Sequence, residues 1–205
     1  SIHGEVNREI ATIDQMSPEL KLAVVAIEDS NFYRHRGLNP YSIARAALAN
    51  FERGGVSEGA STLTMQLVKN LFLTQERTFS RKLAEAVLAI RVEQVFYKEE
   101  ILEMYLNTIY WGHNNYGVQT AAKSYFNKDA DQLNLAEAAV LAGLIQAPER
   151  YSPFLDYGNT KQRQAAVLNR LETLKWITPE EAEAARTTPL LIGKPTAWRK
   201  SKSPF

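Results

Sequence analysis

The sequence contains no cysteine, which excludes disulfide bonds and thiolate catalysis. It also lacks a strong charge of either sign, because 24 Lys and Arg residues are matched by 23 Asp and Glu residues. Its histidines (His3, His35 and His113) are too far apart for a short-range zinc motif. No run reaches the roughly 18 consecutive apolar residues of a membrane span. Any functional charge must therefore be local, and no nucleic-acid partner is predicted.

The composition that remains is that of a folded domain: 205 residues, 45% hydrophobic and 23% charged. Helical periodicity dominates, and no clear alternating strand pattern is present. The most apolar stretch, Leu135–Ala147, is predicted to form a core helix, and the helical spacing over Thr78–Tyr97 predicts that Val87–Val95 is also core. Polar, glycine-bearing Glu52–Gly59 is predicted to be a mobile loop, and residues 188–205 a proline-rich basic tail or linker.

An acidic pair ends the first predicted helix, where Glu28 and Asp29 follow the aliphatic and small residues Ala23–Ile27. A helix that buries one face and ends in carboxylates places them at the edge of a cleft. Apolar neighbours raise the pKa of a carboxyl group, which suits a general base or acid. Carboxylates at a helix C-terminus also oppose the macrodipole, which favours a functional reason for them. The alternative is a solvated helix end.

A second cluster lies at the start of the helix predicted near Thr62–Leu73. Its small and hydroxyl-bearing residues include Ser61 and Thr62. Free backbone N–H groups at such a start resemble an anion site. Gln66, Lys69 and Asn70 lie three or four residues apart, so they share a face of this helix. A normally capped amphipathic helix explains the same residues.

A third cluster makes one stretch cationic in a nearly neutral protein. Arg77 and Arg81 lie close to Lys82, and Glu85 follows one turn later. Such a patch can hold a diphosphate, with arginine giving bidentate geometry and lysine a point charge. Glu85 among these cations can hold a hard divalent ion that also touches phosphate oxygens. The alternative is a surface helix with paired charges.

In this order and spacing, the clusters resemble glycosyltransferase family 51, the peptidoglycan glycosyltransferases of bifunctional penicillin-binding proteins and their monofunctional relatives. Five motifs agree over about Met16–Trp176. The first is matched at Glu28, Asp29, Phe32, His35 and Gly37, and the second at Gly59, Ser61, Thr62, Thr64, Gln66, Lys69 and Asn70. The others are matched at Arg81, Lys82 and Glu85; at Lys98, Ile101, Glu103, Tyr105, Leu106 and Asn107; and at Glu137–Ala142, Pro148 and Tyr151–Pro153. Met65 stands where the second motif has a glutamine.

The resemblance implies a mainly α, lysozyme-like domain over residues 1–187. A larger globular lobe and a smaller, mobile, membrane-proximal lobe are expected to flank a long cleft. The implied reaction joins lipid II to a lipid-linked growing glycan chain with inversion, forming β-1,4 bonds and releasing undecaprenyl diphosphate. The implied place is the outer face of the bacterial cytoplasmic membrane, with an anchor that these residues do not contain. Divisome or elongasome proteins are possible partners, and moenomycin is the family inhibitor.

The resemblance also assigns roles to residues. Glu28 is implied to be the general base, and Glu85 the second catalytic carboxylate, which orients a cation or holds Mg²⁺ or Mn²⁺ on the donor diphosphate. The residues implied to bind substrate are Ser61, Thr62, Gln66, Lys69, Asn70, Arg77, Arg81 and Lys82, together with Asp29, Phe32 and His35. The last three are expected chiefly to shape the Glu28 loop, and Tyr105 and Asn107 to be structural.

Rival functions share part of this pattern. A muramidase or lytic transglycosylase with a similar fold also needs an acid in a cleft. It does not need Lys69, Arg81 and Lys82 arrayed for a diphosphate. A non-catalytic domain that keeps only the fold would not need Glu28 and Glu85.

Overall fold

The computed structural model describes residues 9–45, 61–72 and 79–193, and these residues are mainly helical. The helices in chain order are α1 (Pro18–Glu28), α2 (residues 40–45), α3 (Leu63–Phe72), α4 (Phe79–Val95), α5 (Lys98–Thr108), α6 (Val118–Phe126), α7 (Leu135–Leu144), α8 (Tyr157–Thr173) and α9 (Pro179–Thr187). Short 3-10 turns lie at Ile13–Gln15 and Ala130–Gln132. The described ranges contain no β-strand, only an isolated bridge between Tyr110 and Tyr116. The predicted mainly α class is therefore confirmed.

Helix starts follow the local capping signals. The Ser17 hydroxyl accepts a hydrogen bond from the backbone N–H of Leu20, and Pro18 occupies the first turn of α1. Asn134 and Thr178 cap α7 and α9 in the same way, each within a capping box. These side chains satisfy backbone N–H groups that have no partner inside the helix. The predicted beginnings of these helices are thus confirmed.

Helix α7 is the centre of the core. Every residue from Ala136 to Leu144 is buried, and the helix packs against α1 and α8. Its many alanines let neighbouring helices approach closely, and a helix apolar on all sides must be buried on all sides. The predicted core helix is confirmed. The packing of α7 against α1 and α8 fixes α1, at whose C-terminus Glu28 lies.

Helix α4 contradicts the prediction that Val87–Val95 is core. Its apolar stripe points outward, with Leu83 58%, Val87 44% and Ile90 38% exposed. The buried positions are Glu85 and Ala89, one turn apart. Helical spacing defines a stripe but does not say which stripe faces the body. The inward face of α4 is set by Ala89, a small residue that permits close approach, and by Glu85, a carboxylate that has cationic partners.

Gly37 brings α4 close to the first motif. Its φ of +90° is a conformation that side chains rarely adopt, and a Cβ there would lie 2.8 Å from backbone atoms of Ala89 and Ile90. The Thr62 hydroxyl donates a 2.6 Å hydrogen bond to the Gly37 carbonyl. One glycine therefore joins the segment after α1 to both α3 and α4.

Several predictions from the sequence concern residues outside the described ranges. The loop Glu52–Gly59, Arg77 and the tail from residue 194 onward lie outside the described residues. The first tail residues are described and lie against α6: Leu190 is buried, and the Gly193 N–H donates to the Tyr125 carbonyl at 2.7 Å. The boundary at residue 187 stays a prediction. Among the helices described, none has the length and apolar content needed to cross a membrane.

We expect Gly37→Ala to lower the free energy of unfolding by about 2–5 kcal/mol, from left-handed backbone strain and from collision with the α4 backbone. Chemical denaturation measures the change. Gly158→Ala in α8 is the matched control, because a Cβ there meets only Asp156 Oδ1, at 3.3 Å. The control should change stability by about 1 kcal/mol at most. Equal effects at the two positions would contradict the role of Gly37.

Candidate active site

Glu28 is the last residue of α1 and remains partly exposed. Its Oε2 accepts a 3.0 Å hydrogen bond from Gln66 Nε2 on α3. Burial raises the pKa of Glu28 above its usual value; the Gln66 hydrogen bond and the Arg163 and Lys69 charges lower it, and the Asp29 charge raises it. Glu28 is therefore a half-sequestered carboxylate with an elevated pKa, as proton abstraction near neutral pH requires.

Asp29 and its neighbours of the first motif are buried against protein groups. Asp29 Oδ2 accepts hydrogen bonds from the Leu63 N–H at 3.1 Å and from His35 Nε2 at 2.7 Å. Phe32 has no exposed surface. The predicted anion site at the start of α3 is therefore occupied by a carboxylate of the same chain. This burial leaves Asp29, Phe32 and His35 little surface for a substrate, and it fits the shaping role expected for them.

Glu93 on α4, whose side chain is 3% exposed, is an acid that was not predicted from the sequence. The Thr64 hydroxyl donates to Glu93 Oε1, and the Lys98 ammonium pairs with Glu93 Oε2, each at 2.5 Å. The same ammonium lies 4.3 Å from the centre of the Phe32 ring. The signal that points to it is spacing, since Glu93 lies eight residues after Glu85 and so on the same helix face.

Glu85 is held between two cations. Its side chain is 2% exposed, with Oε1 3.1 Å from Arg81 Nε and Oε2 2.7 Å from Lys82 Nζ. Lys82 also donates a 2.7 Å hydrogen bond to the Ser61 hydroxyl, while its side chain stays half-exposed. We call Arg81, Lys82 and Glu85 the cation cluster. It offers accessible positive charge next to a hydroxyl at the start of α3.

A polar cavity of about 70 Å³ lies beside Glu28. Glu28, Asp29, Ser61 and Thr62 line it. Ser61 also accepts the Lys82 hydrogen bond, so the cation cluster contacts a residue that lines this cavity. Further lining residues, which the sequence argument did not single out, are Ser30, Asn39, Ser42, Arg45 and Arg170. No local signal distinguished those arginines, because α2 and α8 reach the cavity from distant parts of the chain.

The remaining predicted substrate-binding residues lie on α3 or at its start, and they differ in exposure. Lys69 and Asn70 are exposed at the end of α3, and Gln66 is half-buried beside Glu28. Thr62 is buried, and its hydroxyl accepts from the Met65 N–H. Met65 itself is buried, so this departure from the second motif packs in the interior and does not line the cavity.

Comparison with known proteins decides the family. The sequence model for the family described as Transglycosylase matches residues 1–172. This chain belongs to the transglycosylase family. It is 45% identical to penicillin-binding protein 1A of Aquifex aeolicus (strain VF5) over 97% of the chain and 27% of that protein. It is 46% identical to penicillin-binding protein 1A of Escherichia coli (strain K12) over 90% of the chain and 22% of that protein.

The transglycosylase fold is also found in a solved structure. The crystal structure of penicillin-binding protein 1A from Haemophilus influenzae matches 94% of this chain and 19% of that chain, with a TM-score of 0.56 and 24% sequence identity. The likeness confirms the lysozyme-like fold predicted from the motifs. The chain spans about a quarter of the length of the curated relatives it matches.

The transglycosylase site does not fit a resident divalent ion. Both oxygens of Glu85 are engaged by Arg81 and Lys82, and the carboxylate is nearly inaccessible. A metal here would have to displace a cation from its partner. Over the described ranges, no group of three or more His, Cys, Asp and Glu residues is arranged to hold a metal. The Mg²⁺ or Mn²⁺ prediction therefore has no preformed site among these side chains.

We expect Glu28→Gln to raise the free energy of unfolding at pH 7. The folded state raises the pKa of Glu28 above 4.5, so the ionised carboxylate destabilises the fold above that pKa. Glutamine keeps an acceptor for Gln66 and has no charge. The gain should shrink as the pH falls through the folded-state pKa, and disappear below the unfolded value. Denaturant unfolding at a series of pH values measures it.

Glu149→Gln is a control of opposite sign. Burial opposes the ionisation of Glu149, but hydrogen bonds from the Tyr110 hydroxyl and the His113 N–H leave its pKa below the usual value. Loss of that carboxylate should therefore reduce stability at neutral pH. If Glu28→Gln instead behaves like Glu149→Gln, the assigned direction of the Glu28 pKa is wrong.

Proposed function

We propose that this chain is a peptidoglycan glycosyltransferase that polymerises lipid II into β-1,4-linked glycan strands. The observation that supports it best is the position of Ser61, which lines the cavity beside Glu28 and also accepts the Lys82 hydrogen bond. The reaction needs a base at one end of a groove and positive charge at the other. Family membership supports the same reaction.

Glu28 is proposed to activate the nucleophile, which is the acceptor hydroxyl. Glu28 takes the proton from the 4-hydroxyl of the acceptor sugar as that oxygen attacks the anomeric carbon of the donor. The bond from this carbon to the diphosphate oxygen breaks on the opposite face, so the product is inverted. The burial that raises the pKa of Glu28 equips it to accept this proton. Lys69 and Arg163 favour its ionised form before the reaction.

The cation cluster is proposed to stabilise the leaving group, which is the diphosphate. As the bond breaks, negative charge grows on the undecaprenyl diphosphate, and we infer that Lys82 and Arg81 stabilise it. Glu85 holds both cations in place, since its own charge is committed to them. Lys69 and Arg77 are proposed to add positive charge, although Arg77 lies outside the described residues. Any Mg²⁺ or Mn²⁺ would have to arrive with the diphosphate, and no step here depends on it.

A glycan-cleaving muramidase or lytic transglycosylase fits the site less well. Glycoside hydrolysis generally uses two carboxyl groups flanking the bond. Here the second acid, Glu85, is almost fully buried between cations, and Asp29 is hydrogen-bonded to His35 and the Leu63 N–H. Neither has a free face for the opposite side of a sugar. The paired cations instead match a diphosphate.

Incubation with labelled lipid II should therefore yield glycan polymer that moenomycin suppresses. Glu28→Gln should lower the polymerisation rate by at least about 100-fold, since a positioned general base contributes about that much. Lipid II binding should be nearly unchanged, because the cation cluster is intact. Gel separation of chains gives the rate, and fluorescence anisotropy gives the affinity.

The same preparations, incubated with preformed peptidoglycan, provide the control. The wild-type chain should release no fragments. Cleavage of preformed glycan without polymerisation of lipid II would support the rival function. Polymerisation by Glu28→Gln at the wild-type rate would remove Glu28 as the base.

A membrane surface is proposed as the place of action, on the outer face of the cytoplasmic membrane. The support is the outward stripe of α4: Leu83, Val87 and Ile90 follow at intervals of four and three, so they share one exposed face. Leu71 and Phe72 at the end of α3 are also exposed. Contacts with divisome or elongasome proteins stay a prediction.

Leu83→Glu with Val87→Glu should weaken binding to phosphatidylcholine vesicles about 10-fold or more, because each buried aliphatic side chain contributes about 1.5–3 kcal/mol. Vesicle sedimentation measures this. Leu155→Glu is the matched control, an exposed leucine just before α8 and outside α4. Equal binding by the double variant and the wild-type chain would contradict the membrane-facing role of α4.

A further inference from the structure

Three side chains from three helices form a line that ends at Glu28. Tyr105 on α5 is fully buried, and its hydroxyl donates a 3.0 Å hydrogen bond to Gln66 Oε1. Gln66 Nε2 on α3 in turn donates to Glu28 Oε2, also at 3.0 Å. The oxygen and the nitrogen of the Gln66 amide thus have different partners. The oxygen accepts from Tyr105, and the nitrogen donates to Glu28 in the candidate site.

The chemistry of the amide fixes the direction of this line. An ionised carboxylate only accepts hydrogen bonds, so the amide nitrogen of Gln66 must face Glu28 and its oxygen must face Tyr105. If the amide turned over, its oxygen would face the carboxylate, and the buried Tyr105 hydrogen would lose its acceptor. An unsatisfied buried polar group is costly. The phenol therefore selects the amide orientation that favours an ionised Glu28.

We propose that Tyr105 is a positioning residue for Glu28 and acts through Gln66. Its hydroxyl holds the Gln66 amide with its N–H groups toward the carboxylate, which orients Glu28 and supports its ionised form. Tyr105 was expected to be structural, and its burial alone is consistent with that. The hydroxyl contact gives it a task that packing does not explain. The proposal rests on the function proposed for Glu28 as the base.

The surroundings of Glu28 predict how this line affects titration. The groups that face it are Asp29 at the end of α1, Lys69 on α3, Arg163 on α8, and Tyr105 through Gln66. After burial, the Gln66 hydrogen bond has the largest influence on the pKa of Glu28, and it lowers that pKa. Burial also keeps the pKa of Tyr105 well above 10, so the phenol is neutral and Tyr105→Phe removes no charge.

Tyr105→Phe is the test, with the pH dependence of kcat/KM for lipid II polymerisation as the first readout. Once the Gln66 amide is free to turn, the pKa of Glu28 should rise. The acid limb should then move to higher pH by about one unit, roughly a tenfold loss of rate on that limb. At pH values above the limb, the variant should approach the wild-type rate. A merely structural loss would lower the rate equally at all pH values.

Tyr125→Phe is the matched control. Tyr125 is also fully buried, and its hydroxyl donates a 2.7 Å hydrogen bond to the Trp111 carbonyl, with no part in the line to Glu28. It should lose comparable stability and leave the acid limb in place. If both variants shift the limb equally, the proposal fails.

A double-mutant cycle supplies the second readout. Gln66→Leu should itself raise the acid limb, and Tyr105→Phe should add no further shift in that background, because its effect passes through the amide. Independent, additive shifts would overturn the proposal.

A ¹³C NMR titration of the Glu28 carboxyl, assigned by its loss in Glu28→Gln, is independent of enzymatic activity. A higher pKa in Tyr105→Phe supports the proposal, and an unchanged one overturns it. If Glu28→Gln still polymerises lipid II, the proposed function of Glu28 fails, while this titration still decides whether Tyr105 acts on it.

Discussion

The Asp29 carboxylate joins the end of α1 to the start of α3, and the arrangement of the candidate site depends on this contact. Its side chain is 3% exposed, and it accepts hydrogen bonds from the Leu63 N–H and from His35. A buried charge is costly unless it is compensated, and here a helix N-terminus and an imidazole compensate it. The contact sets α3 so that Gln66, about one turn along, meets Glu28.

Glu28 and Glu85, the two acids of the proposed mechanism, differ because their surroundings differ. Glu28 accepts a hydrogen bond from an amide and lies among charges of both signs, and burial raises its pKa. Glu85 is ion-paired on both oxygens and has no accessible face. Opposite environments for two carboxyl groups are a usual way for one site to separate roles. In the proposed function, the separation gives one acid for the acceptor hydroxyl and one that organises cations for the leaving group.

Local signals predicted the helix starts and the position of the acidic pair at the end of α1. They succeeded for the helix starts because a cap and the residues that follow it lie within one turn in sequence. The five ordered motifs also predicted the family. The outward face of α4 was predicted wrongly, since the contact of Ala89 with Gly37 joins segments far apart in the chain. The contribution of Arg163 to Glu28 and the hydroxyl contact of Tyr105 have the same origin. They arise when α8 and α5 pack beside α1, which no local pattern records.

The central claim is that the base and the cation cluster serve one substrate in one groove. A crystal structure of the chain with a short-chain lipid diphosphate sugar tests it most directly. Diphosphate oxygens are expected about 3 Å from Lys82 Nζ or the Arg81 guanidinium, with the anomeric carbon on the side toward Glu28. A diphosphate bound elsewhere, with no contact to either cation, would contradict it.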